Sequence, residues 1–199
     1  MTFRAVFFDL GGVIIRTEYQ APREHLAERL NMDYEDLVKL VFDSETARKA
    51  SVGALSEAEH WQAVTRRLGR PASEQDSIRD EFFAGDVPDR ELIETIRSLR
   101  PRYKTGLISN AWLGLRAGLV KSKLDRAFDV LVISAEVGVM KPDAKIYGMA
   151  LEQSGVRATE AVFVDDSAPN VEAARALGMH GLLFRDPERA LLELRKLLA

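Results

Sequence analysis

The sequence predicts an α/β fold built on a mostly parallel sheet, with a second, all-helical domain inserted into it. Short apolar runs alternate along the chain with segments of helical spacing, and this alternation is typical of a parallel sheet that helices cover on both faces. The alternation stops once, after the first run, where only helical periods and no convincing strand occur from about residue 16 to residue 85. An insertion of about 70 residues is too long for a connecting loop and indicates a small domain.

Five apolar runs are predicted to form buried strands, because each is continuous and is followed by a glycine or a polar residue. They are residues 5–8, 105–108, 130–133, 161–164 and 181–184. Segments of helical spacing lie between them, for example 92–99, 142–155 and 169–178. Proline near the start of these segments and glycine or proline at their end mark the helix boundaries.

The inserted segment contains two clear amphipathic helices. One has an apolar stripe from Tyr34 to Val41, and the other has a stripe that includes Trp61, which we interpret as ordinary core. Ser56 and Glu59 form the capping-box pattern that begins the second helix. The predicted domains are therefore an α/β core of residues 1–15 and 86–199 and a helical domain of residues 16–85.

Composition excludes several classes of protein. With 28 Lys and Arg against 31 Asp and Glu, the net charge is −3, so we expect no nucleic-acid partner. The absence of Cys excludes disulfides, thiolate metal sites and a cysteine nucleophile. The longest apolar runs fall far short of the roughly 20 residues that cross a bilayer, so no membrane partner is expected. We see no signal peptide and expect a cytoplasmic protein; the sequence does not indicate its oligomeric state.

Polar groups follow three of the predicted strands. They are Asp9, the pair Ser109 and Asn110, and the pair Asp165 and Asp166. Ligands of open parallel sheets bind beyond the carboxyl ends of the strands, where these groups are expected to meet. Carboxylates brought together repel one another unless a cation lies among them, and oxygen ligands without His or Cys favour magnesium. The sequence therefore predicts a magnesium site at this edge of the sheet.

Four short motifs in this order resemble those of the haloacid dehalogenase superfamily. They are residues 7–13, 107–110, 141–143 and 164–170. The resemblance spans almost the whole chain and implies a Rossmann-like core, with the helical insertion matching the cap domain of the first cap class. The fourth motif is similar to that of bacterial sugar phosphatases and of the phosphatase domain of soluble epoxide hydrolase.

The resemblance implies a role for each polar residue at the strand ends. Asp9 would be the nucleophile that takes up the phosphoryl group as an aspartyl phosphate. Ser109 and the backbone N–H of Asn110 would hold the phosphate oxygens, and Lys141 would place its ammonium between the phosphate and Asp9. Taken alone, Ser109 would more often cap a helix, and Lys141 would more often be a solvated loop residue.

The resemblance also implies the magnesium ligands, with one departure from the usual pattern. Asp166 would bind the metal directly together with Asp9, and Asp165 would bind it directly or orient the ligands. Phosphatases of the superfamily usually carry a second Asp two positions after the nucleophile, where this chain has Gly11. The backbone carbonyl of Gly11 still offers the metal ligand of that position. The side chain that would act as general acid and base is therefore missing. Such a group typically contributes roughly 10²- to 10⁴-fold to the reaction rate.

These residues predict a magnesium-dependent phosphatase that hydrolyses a small phosphorylated metabolite. A first alternative is a 2-haloacid dehalogenase, which uses the same Asp without a metal. Tyr147 matches a dehalogenase position, although a Tyr on an amphipathic helix is more often core. The acidic pair Asp165 and Asp166 argues against this alternative, because a metal-free site gains nothing from it. A second alternative, favoured only by Gly11, is a catalytically weak scaffold that binds a phosphorylated metabolite or a protein.

Overall fold

The computed structural model describes residues 2–199, which form a five-stranded parallel sheet between two layers of helices. The strand order is β5-β4-β1-β6-β7, and every pairing is parallel. The strands are β1 (Ala5–Phe8), β4 (Lys104–Ser109), β5 (Val130–Ile133), β6 (Ala161–Asp165) and β7 (His180–Leu183). The predicted fold class is confirmed, and each predicted strand is present.

The two faces of the sheet are covered by different helices. Alternate residues of β1 point to opposite faces, so Val6 and Phe8 enter one apolar cluster and Phe7 enters the other. The helices of the core are α6 (Arg90–Leu99), α7 (Leu115–Ser122), α8 (Ser134–Val137), α9 (Ala144–Ser154), α10 (Ala168–Ala176) and α11 (Pro187–Leu198). Helices α6 and α11 pack on the first face, and α9 and α10 on the second. No helix within residues 2–199 is both long and apolar enough to span a bilayer.

The insertion contains five α-helices, and all but the third contribute side chains to one apolar cluster. They are α1 (Ala21–Arg29), α2 (Tyr34–Phe42), α3 (Glu45–Ser51), α4 (Glu57–Arg67) and α5 (Gln75–Phe83). The capping box of Ser56 and Glu59 begins α4, as predicted, and Trp61 is buried in the cluster. The helical pattern of the sequence thus reflects packing within the insertion.

The prediction that residues 16–85 contain no strand is wrong for residues 16 and 17. Strand β2 (Ile15–Thr17) pairs antiparallel with β3 (Asp86–Pro88), which forms a two-stranded ribbon where the chain enters and leaves the insertion. Arg16 contacts Asp89, with 2.8 Å between Nη1 and Oδ2. Strands of three residues show no alternation, and their partners are far apart in sequence, so no local pattern reveals them. The division into domains at residues 15/16 and 85/86 stays a prediction, and it falls at this ribbon.

Candidate active site

The carboxyl end of β1 places Asp9 at the centre of the sheet edge. Its backbone N–H donates to the carbonyl of Val164 at 2.9 Å and so extends the pairing of β1 with β6. Its Oδ1 atom accepts the N–H of Leu10 at 2.7 Å. Its Oδ2 atom accepts no hydrogen bond from residues 2–199, which leaves one oxygen free for a ligand or a reaction.

Lys141 lies inside this edge and is buried, with 2% of its surface exposed. Its Nζ atom is 2.8 Å from Oδ1 of Asp9 and 2.7 Å from Oδ2 of Asp165. The alternative of a solvated loop lysine is therefore wrong for Lys141. A buried ammonium needs such charged partners, because removing it from water costs several kcal/mol.

Asp165 ends β6 and is fully buried. Its Oδ1 accepts the N–H of Ser167 at 2.8 Å, and Nδ2 of Asn170 lies 3.2 Å and 3.1 Å from its two oxygens. No side chain makes the N-cap hydrogen bond of α10, so the acidic pair does not cap that helix. Both oxygens of Asp165 are already engaged with protein groups, which suits a residue that orients the site.

Asp166 projects from the following residue and is exposed. Its carboxylate lies over Gly12, where a Cβ atom would overlap it, and Gly12 has a φ of +74°. One oxygen from each of Asp9, Asp165 and Asp166 lies within 4.8 Å of the others. The predicted cluster of three carboxylates is therefore assembled in the structure.

The charges at this edge are unbalanced, because three carboxylates cluster there and the ammonium of Lys141 contacts only Asp9 and Asp165 among them. Burial raises the pKa of Asp9 from 3.8 to about 6, with Lys141 opposing the rise and the charge of Asp165 adding to it. Although much of Asp166 is exposed, the loss of water on the side of its carboxylate that faces the protein, together with the charge of Asp165, raises its pKa as well. A cation among these groups would relieve both costs.

Ser109 is the last residue of β4, and Asn110 follows it beside this cluster. Ser109 is buried, and its hydroxyl makes no hydrogen bond with residues 2–199. The next helix, α7, has Gly114 as its N-cap, so Ser109 does not cap it. The side chain of Asn110 holds the backbone of Lys141 from both sides. Its Nδ2 donates to the Lys141 carbonyl at 2.9 Å, and its Oδ1 accepts the Lys141 N–H at 2.7 Å.

Sequence reasoning missed the contributions of two side chains. The side-chain amide of Asn110 fixes the loop that carries Lys141, whereas the sequence indicates a role only for its backbone N–H. The side chain of Asn170 donates to Asp165, and its backbone carbonyl accepts the hydroxyl of Tyr147 at 2.9 Å. Tyr147 is fully buried in the apolar core, as expected. The contact of Asn170 with Asp165 spans only a few residues, but an Asn near a helix start more often caps the helix, so the sequence pattern does not single out Asn170 as a partner of Asp165.

Gly11 occupies open space at the mouth of the site. A Cβ atom at this position would meet no other atom within 4 Å, and its φ lies outside the left-handed region. Its carbonyl oxygen accepts no hydrogen bond from residues 2–199. Position 11 therefore has room for a side chain, and its carbonyl is free for a ligand.

We expect Gly12→Ala to weaken cation binding at the cluster. The added methyl group overlaps the Asp166 carboxylate and must displace it, and the positive φ adds strain of about 1 kcal/mol. Gly69→Ala is the matched control, because Gly69 has a φ of +66° but open space around its Cβ position. Calorimetric titration with magnesium should show weaker binding for Gly12→Ala and unchanged binding for Gly69→Ala. Equal affinities for the two variants would contradict this placement of Asp166.

We expect the chelated protein to lose stability as the pH rises from about 4 through about 6. Burial raises the pKa of Asp9 from 3.8 to about 6, so the native state keeps a proton that the unfolded chain has released. Asp9→Asn cannot ionise and lacks this loss. Thermal unfolding in chelator at a series of pH values should show the wild type falling relative to Asp9→Asn across this range. Parallel curves would show that Asp9 ionises without cost.

Comparison with known proteins identifies the family. The model of the haloacid dehalogenase-like hydrolase family matches residues 3–178. The chain is 30% identical to "Bifunctional epoxide hydrolase 2" of Sus scrofa over 98% of its own length and 39% of that protein. It thus spans about two fifths of that relative. It is 28% identical to "Sesquiterpene phosphatase astK" of Aspergillus oryzae, over 98% of this chain and 97% of that one.

A solved structure shares the fold. The HAD family enzyme bt-2542 of Bacteroides thetaiotaomicron, in complex with magnesium and inorganic phosphate, superposes with a TM-score of 0.75 at 21% identity. The superposition covers 91% of this chain and 93% of that one. With the family match over most of the sequence and the four motifs at one sheet edge, the chain belongs to the haloacid dehalogenase-like hydrolases.

Proposed function

We propose that the protein is a magnesium-dependent phosphatase that hydrolyses a small phosphorylated metabolite through an aspartyl phosphate at Asp9. The observation that carries this proposal is the cluster of three carboxylates within 4.8 Å, which a single buried ammonium does not neutralise. A site that binds a phosphate dianion needs more positive charge than this, and a divalent cation supplies it.

The donor set fits magnesium. Asp9 and Asp166 would each offer a carboxylate oxygen, and Gly11 would offer its free carbonyl. These are hard oxygen donors without a nitrogen or sulfur ligand. Asp165, whose oxygens are bonded to Lys141, Ser167 and Asn170, would orient the others. When bound, magnesium would offset the charge of the phosphate and of the carboxylates around it.

The first chemical step would be attack of Asp9 on phosphorus. Its Oδ2 accepts no hydrogen bond from residues 2–199 and would be the attacking oxygen, whereas Oδ1, which contacts Leu10 and Lys141, would be the oxygen offered to the cation. The bond from Oδ2 to phosphorus forms as the bond to the leaving oxygen breaks. The Ser109 hydroxyl and the Asn110 N–H would hold the phosphate oxygens, and Lys141 would reduce the repulsion between phosphate and Asp9.

The second step would be attack of water on phosphorus, which releases inorganic phosphate and restores the Asp9 carboxylate. In the first step the leaving oxygen takes its proton from solvent, because Gly11 offers no side chain for the transfer. Residues 16–85 would act as a cap over this edge and exclude water while the reaction proceeds. The domain boundaries that define this cap form part of the proposal.

Two observations favour phosphatase over dehalogenase activity. Halide displacement by Asp9 needs no cation, so it gives no reason for the exposed Asp166 beside the buried Asp165. A relative of nearly the same length is named a phosphatase, and the fold is shared with an enzyme solved with magnesium and phosphate. The fold likeness alone does not choose between the two activities.

An assay panel tests this proposal against both alternatives. Purified protein is given an aryl phosphate with magnesium, the same ester with a chelator, and a 2-haloacid. Phosphate release that magnesium supports and the chelator stops is the expected result. Halide release would instead support the dehalogenase. No turnover of either substrate would favour a binding scaffold.

We expect Gly11→Asp to accelerate hydrolysis of alkyl phosphates, by up to roughly 10²- to 10⁴-fold, with little effect on aryl phosphates. A Cβ at this position meets no atom within 4 Å, and the neighbouring carboxylates favour the protonated Asp that a general acid requires. Wild-type rates should depend steeply on leaving-group pKa, and the variant should flatten this dependence.

Gly11→Asn is the matched control, because it fills the same volume without an acidic proton. It should keep the steep dependence of the wild type. If the wild-type plot is already flat, another group supplies the proton, and Gly11 does not limit the reaction.

A further inference from the structure

Trp112 lies on the α/β core but packs into the helical insertion. It follows Ser109 by three residues on the loop after β4. Its ring stacks on Phe42 at 6.2 Å between centroids and lies 4.7 Å from His60 and 6.1 Å from Trp61. These three partners belong to α2 and α4 of the insertion. Trp112 is thus a direct contact between the helical insertion and the loop that follows Ser109.

The residues between Ser109 and Trp112 are fixed one after another to the core. Asn110 exchanges two hydrogen bonds with the backbone of Lys141. The Ala111 N–H donates to Oγ of Ser134 at 3.0 Å, and the Ala111 carbonyl accepts the N–H of Ala135 at 3.3 Å. Because the segment is short and bonded at each residue, it has little conformational freedom, and the placements of Trp112 and Ser109 depend on each other.

We propose that Trp112 is a positioning residue that couples the placement of the helical insertion to the Ser109–Asn110 loop. Stacking against Phe42 and His60 fixes the indole to the insertion. The loop in turn sets where the Ser109 hydroxyl and the Asn110 N–H lie relative to Asp9. The inference rests on the proposed function, since it requires these groups to hold the phosphate.

This role differs from that of the neighbouring Trp61. Trp61 is 1% exposed and packs within the insertion, so it stabilises the insertion itself. Trp112 is half-buried and is attached to the core chain beside the phosphate-binding groups. Phe42, its stacking partner, is 44% exposed, which places this contact at the boundary of the apolar cluster.

Kinetics of three variants test the coupling. Trp112→Ala should lower kcat for an aryl phosphate by roughly 10- to 100-fold, because small displacements of positioned groups carry penalties of this size. KM should change much less, since the lost interaction acts on the reacting geometry. Trp112→Phe keeps an aromatic ring against Phe42 and should restore most of kcat. Trp61→Phe is the matched control and should keep wild-type kcat.

Fluorescence gives a readout that does not depend on turnover. The chain has two Trp residues, so Trp61→Phe leaves Trp112 as the sole indole. Titrating this variant with inorganic phosphate in the presence of magnesium should change its fluorescence emission. The midpoint of the fluorescence titration should agree with the dissociation constant that calorimetry gives for the same variant. A Trp112 emission that stays constant while calorimetry shows binding would overturn the coupling.

The remaining outcomes separate this inference from the proposed function. Wild-type kcat in Trp112→Ala, or a loss in Trp112→Phe as large as that in Trp112→Ala, would overturn the coupling while leaving the phosphatase intact. A wild-type protein that neither hydrolyses aryl phosphate nor binds phosphate with magnesium would overturn the proposed function, and the coupling with it.

Discussion

Asp9→Asn should abolish phosphate release while leaving the fold intact. The amide has the shape of the carboxylate but cannot attack phosphorus, and we expect kcat to fall by roughly 10⁴-fold or more. Lys141 keeps its contact with Asp165 at 2.7 Å, so its buried charge stays paired. Steady-state assays with an aryl phosphate measure the loss, and thermal unfolding in chelator near neutral pH should give a midpoint no lower than that of the wild type.

A surface variant provides the control for this result. Asp36→Asn removes one carboxylate on the exposed side of α2, far in sequence from the site, and should keep wild-type kcat. If Asp9→Asn turned over aryl phosphate at a rate near that of the wild type, the aspartyl phosphate mechanism would be wrong.

Asp166→Asn should remove magnesium binding, and with it magnesium-dependent turnover. The carboxylate is exposed and accepts no hydrogen bond from another residue in 2–199, so its replacement should cost little stability. Residues that hydrogen-bond to metal ligands contribute roughly 10- to 100-fold to metal affinity. Loss of Asp166, a direct ligand, should weaken magnesium binding by more than this. Calorimetry with magnesium, with and without inorganic phosphate, measures the loss.

Asp165→Asn is the variant to compare with Asp166→Asn, because it removes the adjacent carboxylate, which is buried where that of Asp166 is exposed. Asp165 is fully buried against Lys141, so its loss leaves that ammonium with Asp9 as its remaining contact. Weakening a buried pair in this way costs up to about 3 kcal/mol. The variant should therefore unfold at a clearly lower temperature, whereas Asp166→Asn should not. Wild-type magnesium affinity in Asp166→Asn would show that the cation binds elsewhere.

The parts of the fold that the sequence predicts are those whose signal is local. The residues of β1, Ala5 to Phe8, are all buried, and a strand buried on both faces appears as an unbroken apolar run. Asp9 then follows directly at the carboxyl end. The ribbon of β2 and β3 has no such signal, because its six residues are half-buried or exposed and pair across the whole insertion.

The site shows the same division between local and long-range information. Composition alone predicts an exposed Lys141, and only the resemblance of its motif indicated a functional role. The side chain of Asn110 bonds to the backbone of Lys141, a residue distant in sequence that the fold brings close. The packing of Trp112 against the insertion likewise depends on tertiary structure, since its own loop has no periodic pattern.

Trapping the covalent intermediate tests the central claim most directly. Enzyme in excess over an aryl phosphate, with magnesium present, is quenched in acid within the first turnover and analysed by mass spectrometry after digestion. Borohydride reduction of a parallel sample converts an acyl phosphate to an alcohol and marks the residue that carried it. We predict a phosphoryl group on the peptide containing Asp9, homoserine at position 9 after reduction, and neither product in Asp9→Asn. Rapid phosphate release with an unmodified Asp9 throughout the first turnover would contradict the account.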